Sequence, residues 1–291
     1  MSENFNFQIN SILSGFGTIS LNDIDSKDLL NRQDKKYIFH TELLPNVLSN
    51  MAENYSVLNI DNIRIFNYLT IYYDTDRHDF YIQHHNGKQT RNKVRSRYYK
   101  ESNKTFFEVK SKTNKSKTIK KRVLLKEGQD GLIDFNKEIS IDEISEPISS
   151  AVNLLKKNLD ISPTLLKPRL SISYSRITLL HKVNNEKITI DFDISFKPLD
   201  ITEDCYHELV EGQLTTRSSQ TIRNLVIAET KQERLQGLSE FEQVMSKLHI
   251  RSTSISKYCT GLILTNPEIK HNRFKRKMNY IHKINGNDNG L

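Results

Sequence analysis

The chain has 291 residues, with 43 Lys and Arg against 35 Asp and Glu, a formal net charge of +8. Its 13 Phe and 12 Tyr supply the bulk for a packed core. No apolar run approaches the ~20 residues of a bilayer span, and the N-terminal segment lacks the basic start of a secretory signal. Cys205 and Cys259 are too few for a disulfide framework or a thiolate zinc site. These features exclude an integral membrane protein and a small secreted scaffold, and predict a soluble cytoplasmic protein.

The basic excess is concentrated in one segment. Residues 88–122 hold 14 Lys and Arg against two acidic residues, a net charge of +12, so the other 256 residues sum to −4. Such concentration is typical of a polyanionic partner: nucleic acid, an anionic membrane surface or a phosphate chain. A solvated Lys-rich hairpin without function would carry the same charge, so charge alone leaves both interpretations open.

The first half of the chain reads as a helical lead-in, residues 1–30, followed by an antiparallel meander. Helices are predicted over 11–16 and from Thr41 to Met51. β-Branched and aromatic runs separated by short polar breaks then predict five strands, at 67–75, 79–85, 92–99, 104–111 and 117–125. Asn86-Gly87 is a strong signal for a hairpin turn.

In the second half of the chain, the sequence predicts a helix over 148–160 and a further group of strands. These strands are at 171–181, 186–196 and 224–232. Two helices, at 238–250 and 255–264, precede a basic tail, residues 266–291, which we expect to be frayed. Strands on both sides of a helix favour one α+β domain, residues 31–265, built on a closed antiparallel sheet.

Strand alternation places the charges of three successive predicted strands on one face. That face comprises Lys93, Arg95, Arg97, Phe106, Glu108, Lys110, Lys112, Thr118, Lys120 and Arg122. Like charges on neighbouring strands repel by about 0.2–1 kcal/mol per pair, a cost that a bound polyanion would remove. The pattern therefore favours an enclosed basic channel, although the outer face of a two-layer sheet would show the same alternation.

Eight short motifs follow one another in an order that resembles a known family. They are Arg32-x-Asp34-x-Lys36-Tyr37, Val94-Arg95-x-Arg97-Tyr98, Phe107-Glu108-Val109-Lys110, Lys117-x-x-Lys120-x-Arg122, Tyr174-x-Arg176, Lys187-Ile188-Thr189-Ile190-Asp191, Glu229-x-Lys231 and Ser256-Lys257-Tyr258. Over roughly residues 30–262 the set resembles the vacuolar-transporter-chaperone (VTC) domain, the polyphosphate polymerase branch of the triphosphate tunnel metalloenzymes. No single motif is diagnostic, but eight in order are fairly specific.

The resemblance implies a closed antiparallel eight-stranded β tunnel flanked by helices, as the alternation also favours. It implies polyphosphate synthesis, in which the γ-phosphate of ATP moves to a growing chain and ADP leaves. The implied phosphate-binding and catalytic residues are Lys36, Arg95, Arg97, Lys110, Lys120, Arg176, Lys187 and Lys257. Those implied to bind ATP are Arg95, Arg97, Lys110 and Lys257. Glu229 is the implied carboxylate that helps to hold Mn²⁺ or Mg²⁺.

These residue types suit phosphoryl transfer. A phosphate oxygen is already an anion at neutral pH, so catalysis depends on in-line positioning and charge neutralisation rather than on a strong base. Arg binds phosphate oxygens bidentately, whereas Lys acts as a point charge. A metal ion that bridges phosphates keeps water and substrate oxygens as ligands and needs few protein carboxylates.

Two positions bear on the kind of reaction. Lys187 stands where the family usually has Arg, so bidentate recognition is lost there and we expect weaker turnover. Arg32 stands where hydrolytic tunnel enzymes place the first of several Glu ligands, which argues against a two-metal triphosphatase or a cyclase. The alternatives are a metal-dependent triphosphate or nucleotide hydrolase, and a non-catalytic module that binds polyphosphate or nucleic acid.

Other acidic residues allow two interpretations each. Asp191 and Asp193 share a predicted strand face and either supplement Glu229 at the metal or pair with a neighbouring Lys or Arg. Glu108 is either a metal ligand or a charge-balancing partner within the basic face.

The remaining candidates are aromatic or imidazole side chains. His84 and His85, with His78, resemble a metal site, but adjacent residues of a strand point to opposite faces, which favours exposure. Tyr98 and Tyr258 either stack on adenine or pack in the core. The expected partners are ATP and polyphosphate, not nucleic acid, and any membrane link would come from a separate partner or from the basic tail.

Overall fold

The computed structural model describes residues 3–26, 32–114, 118–125, 132–135, 146–199, 219–233 and 237–286. The helices within these ranges are α1 (Glu3–Ser14), α2 (Leu21–Ser26), α3 (Leu44–Met51), α4 (Asp79–His85), α5 (Glu146–Asn158), α6 (Glu240–Lys247), α7 (Lys257–Thr265) and α8 (Lys275–Ile284). The strands are β1 (Gly17–Ile19), β2 (Arg32–His40), β3 (Tyr55–Leu58), β4 (Phe66–Asp74), β5 (Arg91–Tyr99), β6 (Lys104–Lys112), β7 (Thr118–Leu124), β8 (Lys167–His181), β9 (Glu186–Pro198), β10 (Gln220–Ile222) and β11 (Leu225–Glu233). Lys117 of the fourth motif and Cys205 lie outside the described residues.

The described strands form one large sheet, which confirms the α+β class. Eight strands follow a single antiparallel path in the order β2-β11-β9-β8-β4-β5-β6-β7. Three more are attached beside it, with β10 paired to β9, β3 to β8, and β1 parallel to β3. Within the described ranges, the end strands β2 and β7 do not pair. The predicted closed eight-stranded tunnel is therefore wrong, because the sheet is open and has eleven strands.

Both end strands carry several cations. The sequence of β7 contains three consecutive cations, residues 120–122, and β2 carries Lys35 and Lys36. Edge strands rich in Lys are a common protection against unwanted strand addition.

Helices α1, α3, α5 and α6 cover one face of this sheet, which we call the outer face, whereas α4, α7 and α8 pack on the apolar part of the other face. At one end, α1, α3 and α6 pack on β2, β11, β9 and β8, where Ile188 and Ile190 are fully buried. At the other end, α5 packs on β6 and β7 around Phe107 and Val109. The apolar side of the predicted meander is therefore the covered side, and the charged side forms the opposite face, which we call the inner face.

Residues 79–85, predicted as a strand, instead form α4. The buried carboxylate of Asp74 accepts hydrogen bonds from the backbone N–H groups of Phe80 at 2.9 Å and Tyr81 at 3.0 Å, which satisfies the free donors at the start of the helix. Gly87, with φ of 72°, adopts the left-handed conformation that commonly follows a helix. Asn86-Gly87 is thus a helix end and not a hairpin turn.

The two histidines of α4 are not exposed as predicted. His85 is buried, and its Nε2 lies 2.8 Å from Oδ1 of Asn272. Nδ1 of His84 lies 3.2 Å from the buried Sγ of Cys259 on α7. Since both rings face other parts of the protein, the strand geometry that favoured exposure does not apply.

The C-terminal region is more ordered than the predicted frayed tail. Residues Lys275–Ile284 form α8, and its Met278 and Ile281 are buried in the same apolar cluster as α4 and α7. Residues 287–291 lie outside the described ranges. None of the described helices combines the length and the apolar composition of a membrane-spanning segment.

We predict that a methyl group at Gly261 destabilises the contact of α7 with the inner face. A Cβ there would lie 2.6 Å from Cδ2 of Leu170 and closer still to the ring of Phe196. Gly261→Ala should cost about 1–3 kcal/mol, since both neighbours are buried core residues. Urea unfolding checks this. Gly15→Ala is the control, because its Cβ would lie 3.4 Å from the backbone oxygen of Ile12, an ordinary contact distance. An equal loss in both variants would contradict the prediction.

Candidate functional site

The inner face carries cations on most of its strands and on the first residue of α7. The described members are Lys36, Lys93, Arg95, Arg97, Lys110, Lys120, Arg122, Arg176, Lys187, Lys231 and Lys257. Antiparallel register sets several of them side by side, because residues paired across two strands point to the same face. Lys110 pairs with Lys93 on one side and with Lys120 on the other. Three carboxylates, described in turn below, lie among these cations.

The first carboxylate, Glu108 of β6, is held by two cations from the neighbouring strands. Nε of Arg95 donates to its Oε2 at 2.6 Å, and Lys120 contacts its Oε1. Burial alone would raise the pKa of Glu108, but these cations and Arg97 hold it well below its usual range. Of its two predicted roles, Glu108 therefore has that of a charge-balancing partner, here of Arg95 and Lys120.

The second carboxylate, Asp191 of β9, joins the sheet to α7. Arg176 binds it bidentately, with Nε to Oδ1 at 2.5 Å and Nη2 to Oδ2 at 2.8 Å, and Lys257 contacts Oδ2. Despite complete burial, these two cations lower the pKa of Asp191 to about 2. Of the two predicted roles, the structure shows pairing with cations. Asp193 lies at a bulge with φ of 51°, so it does not continue the alternation from Asp191.

The third carboxylate is Glu229 of β11. Nζ of Lys36 lies 2.8 Å from its Oε1, and Nζ of Lys231 lies 3.5 Å from its Oε2. Burial opposes ionisation here as well, yet Lys231 and Lys36 keep the pKa of Glu229 well below its usual range.

The sheet curls so that these three clusters face one another. Four strands lie between β2 and β5 in the sheet. The pKa of Lys93 on β5 is nevertheless lowered by Lys36 on β2, in addition to the larger effects of burial and of the charge of Arg95. The pKa of Lys110 is lowered to about 8, first by burial and then by Lys93 and other cations, although its side chain remains in contact with solvent. Charges on strands that are far apart in the sheet order therefore act on one shared space.

The structure thus brings together eight of the nine predicted site residues. They are Lys36, Arg95, Arg97, Lys110, Lys120, Arg176, Glu229 and Lys257. Lys187 also lies on β9 at the inner face, where register places it opposite Lys231 and beyond Glu229. Lys187, at the position where the resemblance implies Arg, therefore lies at the margin of the cluster.

Four further inner-face residues were not among the predicted site residues. They are Tyr72, Lys93, Tyr174 and Lys231. The phenol of Tyr72 accepts a hydrogen bond from Nη1 of Arg95 at 3.1 Å, and nearby cations lower its pKa to about 8 against the effect of burial. Nζ of Lys257 lies 4.6 Å from the ring centre of Tyr174. Alternation along β4 and β8 is the sequence signal that would have placed both tyrosines on this face.

The start of α7 is tied to the inner face at several points. Ser256 caps the helix and accepts a hydrogen bond from Nζ of Lys93 at 3.0 Å. The phenol of Tyr258 donates to Asp74 at 2.6 Å, and its ring stacks on that of Tyr72. Tyr258 is therefore a core residue and not a free surface for adenine. Tyr98, for its part, donates a hydrogen bond to Asn103 at the β5–β6 turn.

The described residues offer a divalent metal ion one accessible carboxylate of the inner face and no preformed ligand set. In this part of the chain, no group of three or more His, Cys, Asp or Glu side chains is arranged to hold one. Glu229 is the most accessible of the three carboxylates, with 20% side-chain exposure against 1% for Glu108 and 4% for Asp191. One carboxylate can share Mg²⁺ or Mn²⁺ with phosphate oxygens and water, which is how such ions commonly bind to phosphates.

Comparison with known proteins identifies the family. Residues 31–266 match the model of the VTC domain, so the chain belongs to the VTC domain family, as the eight motifs indicated. No curated protein matches the chain.

Several solved structures resemble the chain at low sequence identity. A putative adenylate cyclase from Bacillus halodurans is 13% identical over 78% of this chain and 96% of that one, with a TM-score of 0.43. A putative adenylyl cyclase from Hippeastrum, described as having a dominant triphosphatase activity, is 12% identical over 82% of this chain and 98% of that one, with a TM-score of 0.42.

We predict that Asp191 makes stability depend on acidic pH. Its pKa of about 2 in the folded protein lies below the ordinary value near 3.9, so its stabilisation is complete above about pH 4 and is lost as pH falls towards 2. Asp191→Asn should remove this contribution and weaken the acid dependence, while Glu108 and Glu229 keep their share of it. It should also cost about 3–5 kcal/mol at pH 7, because Arg176 and Lys257 lose their buried partner.

Urea unfolding between pH 2 and 7 measures both effects. Asp76→Asn is the matched control, since Asp76 also contacts two cations, Lys167 and Arg169, but is exposed. We expect the control to lose less than about 1 kcal/mol. Equal losses in the two variants, or an unchanged acid dependence in Asp191→Asn, would contradict the assignment.

Proposed function

We propose that this VTC-domain chain is a polyphosphate polymerase that transfers the γ-phosphoryl group of ATP to the end of a polyphosphate chain. The observation that carries the proposal is the convergence of inner-face cations on one space. Their charges exceed those of Glu108, Asp191 and Glu229, so the space retains a positive charge that a polyanion would neutralise. Membership of the VTC family supports the choice of phosphate chains as the polyanion.

In the proposed reaction, an oxygen of the terminal phosphate of the chain attacks the γ-phosphorus of ATP. A new P–O bond forms, the bond from the γ-phosphorus to the β–γ bridging oxygen breaks, and ADP leaves with that electron pair. Because the attacking oxygen is already ionised, no side chain has to remove a proton. The protein contributes alignment of the two phosphates and neutralisation of the charge on the transferred group.

The arginines and lysines of the site have different parts in this scheme. Arg95, Arg97 and Arg176 present planar guanidinium groups that fix the direction of the phosphate oxygens they bind. Lys110 and Lys257 supply point charges, which hold a phosphate without fixing its orientation and so permit a chain to advance between additions. Glu229 would hold Mn²⁺ or Mg²⁺, which when bound neutralises charge on the phosphates.

The carboxylates keep this cation cluster folded when no phosphate is bound. Glu108 and Asp191 each engage two cations that would otherwise repel one another. An incoming phosphate can bind the cations that these carboxylates leave in excess, because its oxygens accept hydrogen bonds in a geometry similar to that of a carboxylate. Binding then adds an anion to the cluster while Glu108 and Asp191 keep their partners.

We predict that purified protein incubated with ATP and Mn²⁺ forms long polyphosphate and ADP. Arg95→Lys should reduce the rate about 10²-fold, since it keeps the charge and removes bidentate binding. Arg77→Lys is the matched control, because Arg77 is exposed in the segment before α4, and it should retain full activity. Gel electrophoresis separates the polymer from orthophosphate.

The products also distinguish the alternatives. Orthophosphate as the only phosphate product would refute polymerisation and favour a hydrolase. Tight binding of long polyphosphate without metal and without ATP turnover would favour a non-catalytic binding module.

We predict that Glu229→Gln abolishes metal-dependent synthesis with little effect on the fold. Glutamine keeps the shape of the side chain and removes the charge on which a divalent ion would depend. Synthesis should fall at least about 10²-fold at every Mn²⁺ concentration, whereas stability should change by about 1 kcal/mol, because Glu229 is partly exposed. Activity with an unchanged Mn²⁺ requirement would exclude Glu229 as the metal-binding residue.

A further inference from the structure

Two cations extend the basic inner face beyond the cluster described above. Arg91 and Lys112 lie directly opposite each other on β5 and β6, one inward-pointing pair beyond Lys93 and Lys110. Both are partly exposed, and within the described part of the chain neither forms an ion pair with a carboxylate. Lys93 with Lys110, and Arg91 with Lys112, are therefore two neighbouring cross-strand pairs of cations. Such pairs destabilise a sheet when no anion binds between them.

A third cation, Lys277 of α8, lies beside His84: its Nζ is 5.6 Å from the ring centre of Phe274, and that ring packs edge-on against His84 at 6.1 Å. The pKa of His84 is lowered to about 3, first by burial and then by four neighbouring positive charges. These belong to Lys93, Arg91, Lys277 and Lys112. Nζ of Lys277 donates a hydrogen bond to Oγ of Ser254, in the segment that leads into α7. The basic surface therefore continues from β5 and β6 to α8, around a histidine that stays neutral.

We infer that Arg91, Lys112 and Lys277, the outer row, bind the part of a polyphosphate chain that extends beyond the reaction centre. The inference rests on the proposed function for the identity of the polymer. The cations form a continuous series that runs from Lys110 through Lys93 to the outer row. This series matches a linear polyanion that carries one charge per repeating unit. A short phosphate such as tripolyphosphate would fill the inner cluster and leave the outer row empty.

The outer row should therefore make affinity depend on chain length. Arg91→Gln/Lys112→Gln should weaken the binding of long-chain polyphosphate about tenfold and leave the affinity for tripolyphosphate unchanged. Lys156→Gln/Lys157→Gln is the matched control, because it removes the same charge from exposed residues of α5, on the outer face. Arg91→Lys/Lys112→Arg keeps both charges and should restore long-chain affinity.

Fluorescence-detected binding of the two phosphates at fixed ionic strength measures these effects. An equal loss for both phosphates, or no loss for the long chain, would overturn the inference. Tighter binding of single-stranded RNA than of long polyphosphate, lost in the same double variant, would overturn the choice of partner. A parallel assay with ATP and Mn²⁺ separates the two proposals: a length effect without synthesis refutes only the polymerase, and synthesis without a length effect refutes only the outer row.

Discussion

The shared carboxylates are the constraint on which the site depends. Each of Glu108, Asp191 and Glu229 contacts two cations, and each joins different elements of the fold: β6 to β5 and β7, β9 to β8 and α7, and β11 to β2. Without the buried Glu108 and Asp191 in particular, the curl of the sheet would bring unbalanced positive charges into one partly buried space, at a cost of several kcal/mol per ion. The same pairs leave an excess of cations, and this excess is what a polyanion would bind.

Helix α7 links this charge arrangement to the apolar core. Its Gly261 lies against Phe196 and Leu170, its Tyr258 is bound to Asp74, and its first residue, Lys257, contacts Asp191. Asp74 also accepts the backbone donors at the start of α4, so one buried carboxylate orients two helices at this end of the inner face. The packing of α7 thus determines the position of Lys257 in the proposed site.

Period-2 alternation predicted β4 to β9 and β11, the covered face of the meander and the direction of Arg95 and Lys110, because these properties follow from local geometry. It did not predict β1, β2, β3 or β10. It could not predict α4, since a seven-residue aromatic run suits either structure and the deciding contact is Asp74. The link from Lys93 to Ser256 joins residues 163 positions apart and has no local signal. Sheet closure was predicted wrongly because it depends on two edges that are distant in the chain.

Thermal unfolding with and without tripolyphosphate tests the central claim most directly, because it asks whether the excess cations of the inner face bind phosphate. A ligand at 100 times its dissociation constant stabilises the folded state by about 2.7 kcal/mol, which for a domain of this size raises the midpoint by about 5 °C or more. Our account predicts such a rise with tripolyphosphate, a much smaller one with sulfate at equal ionic strength, and its loss at high salt. An unchanged midpoint with tripolyphosphate at low salt would contradict it.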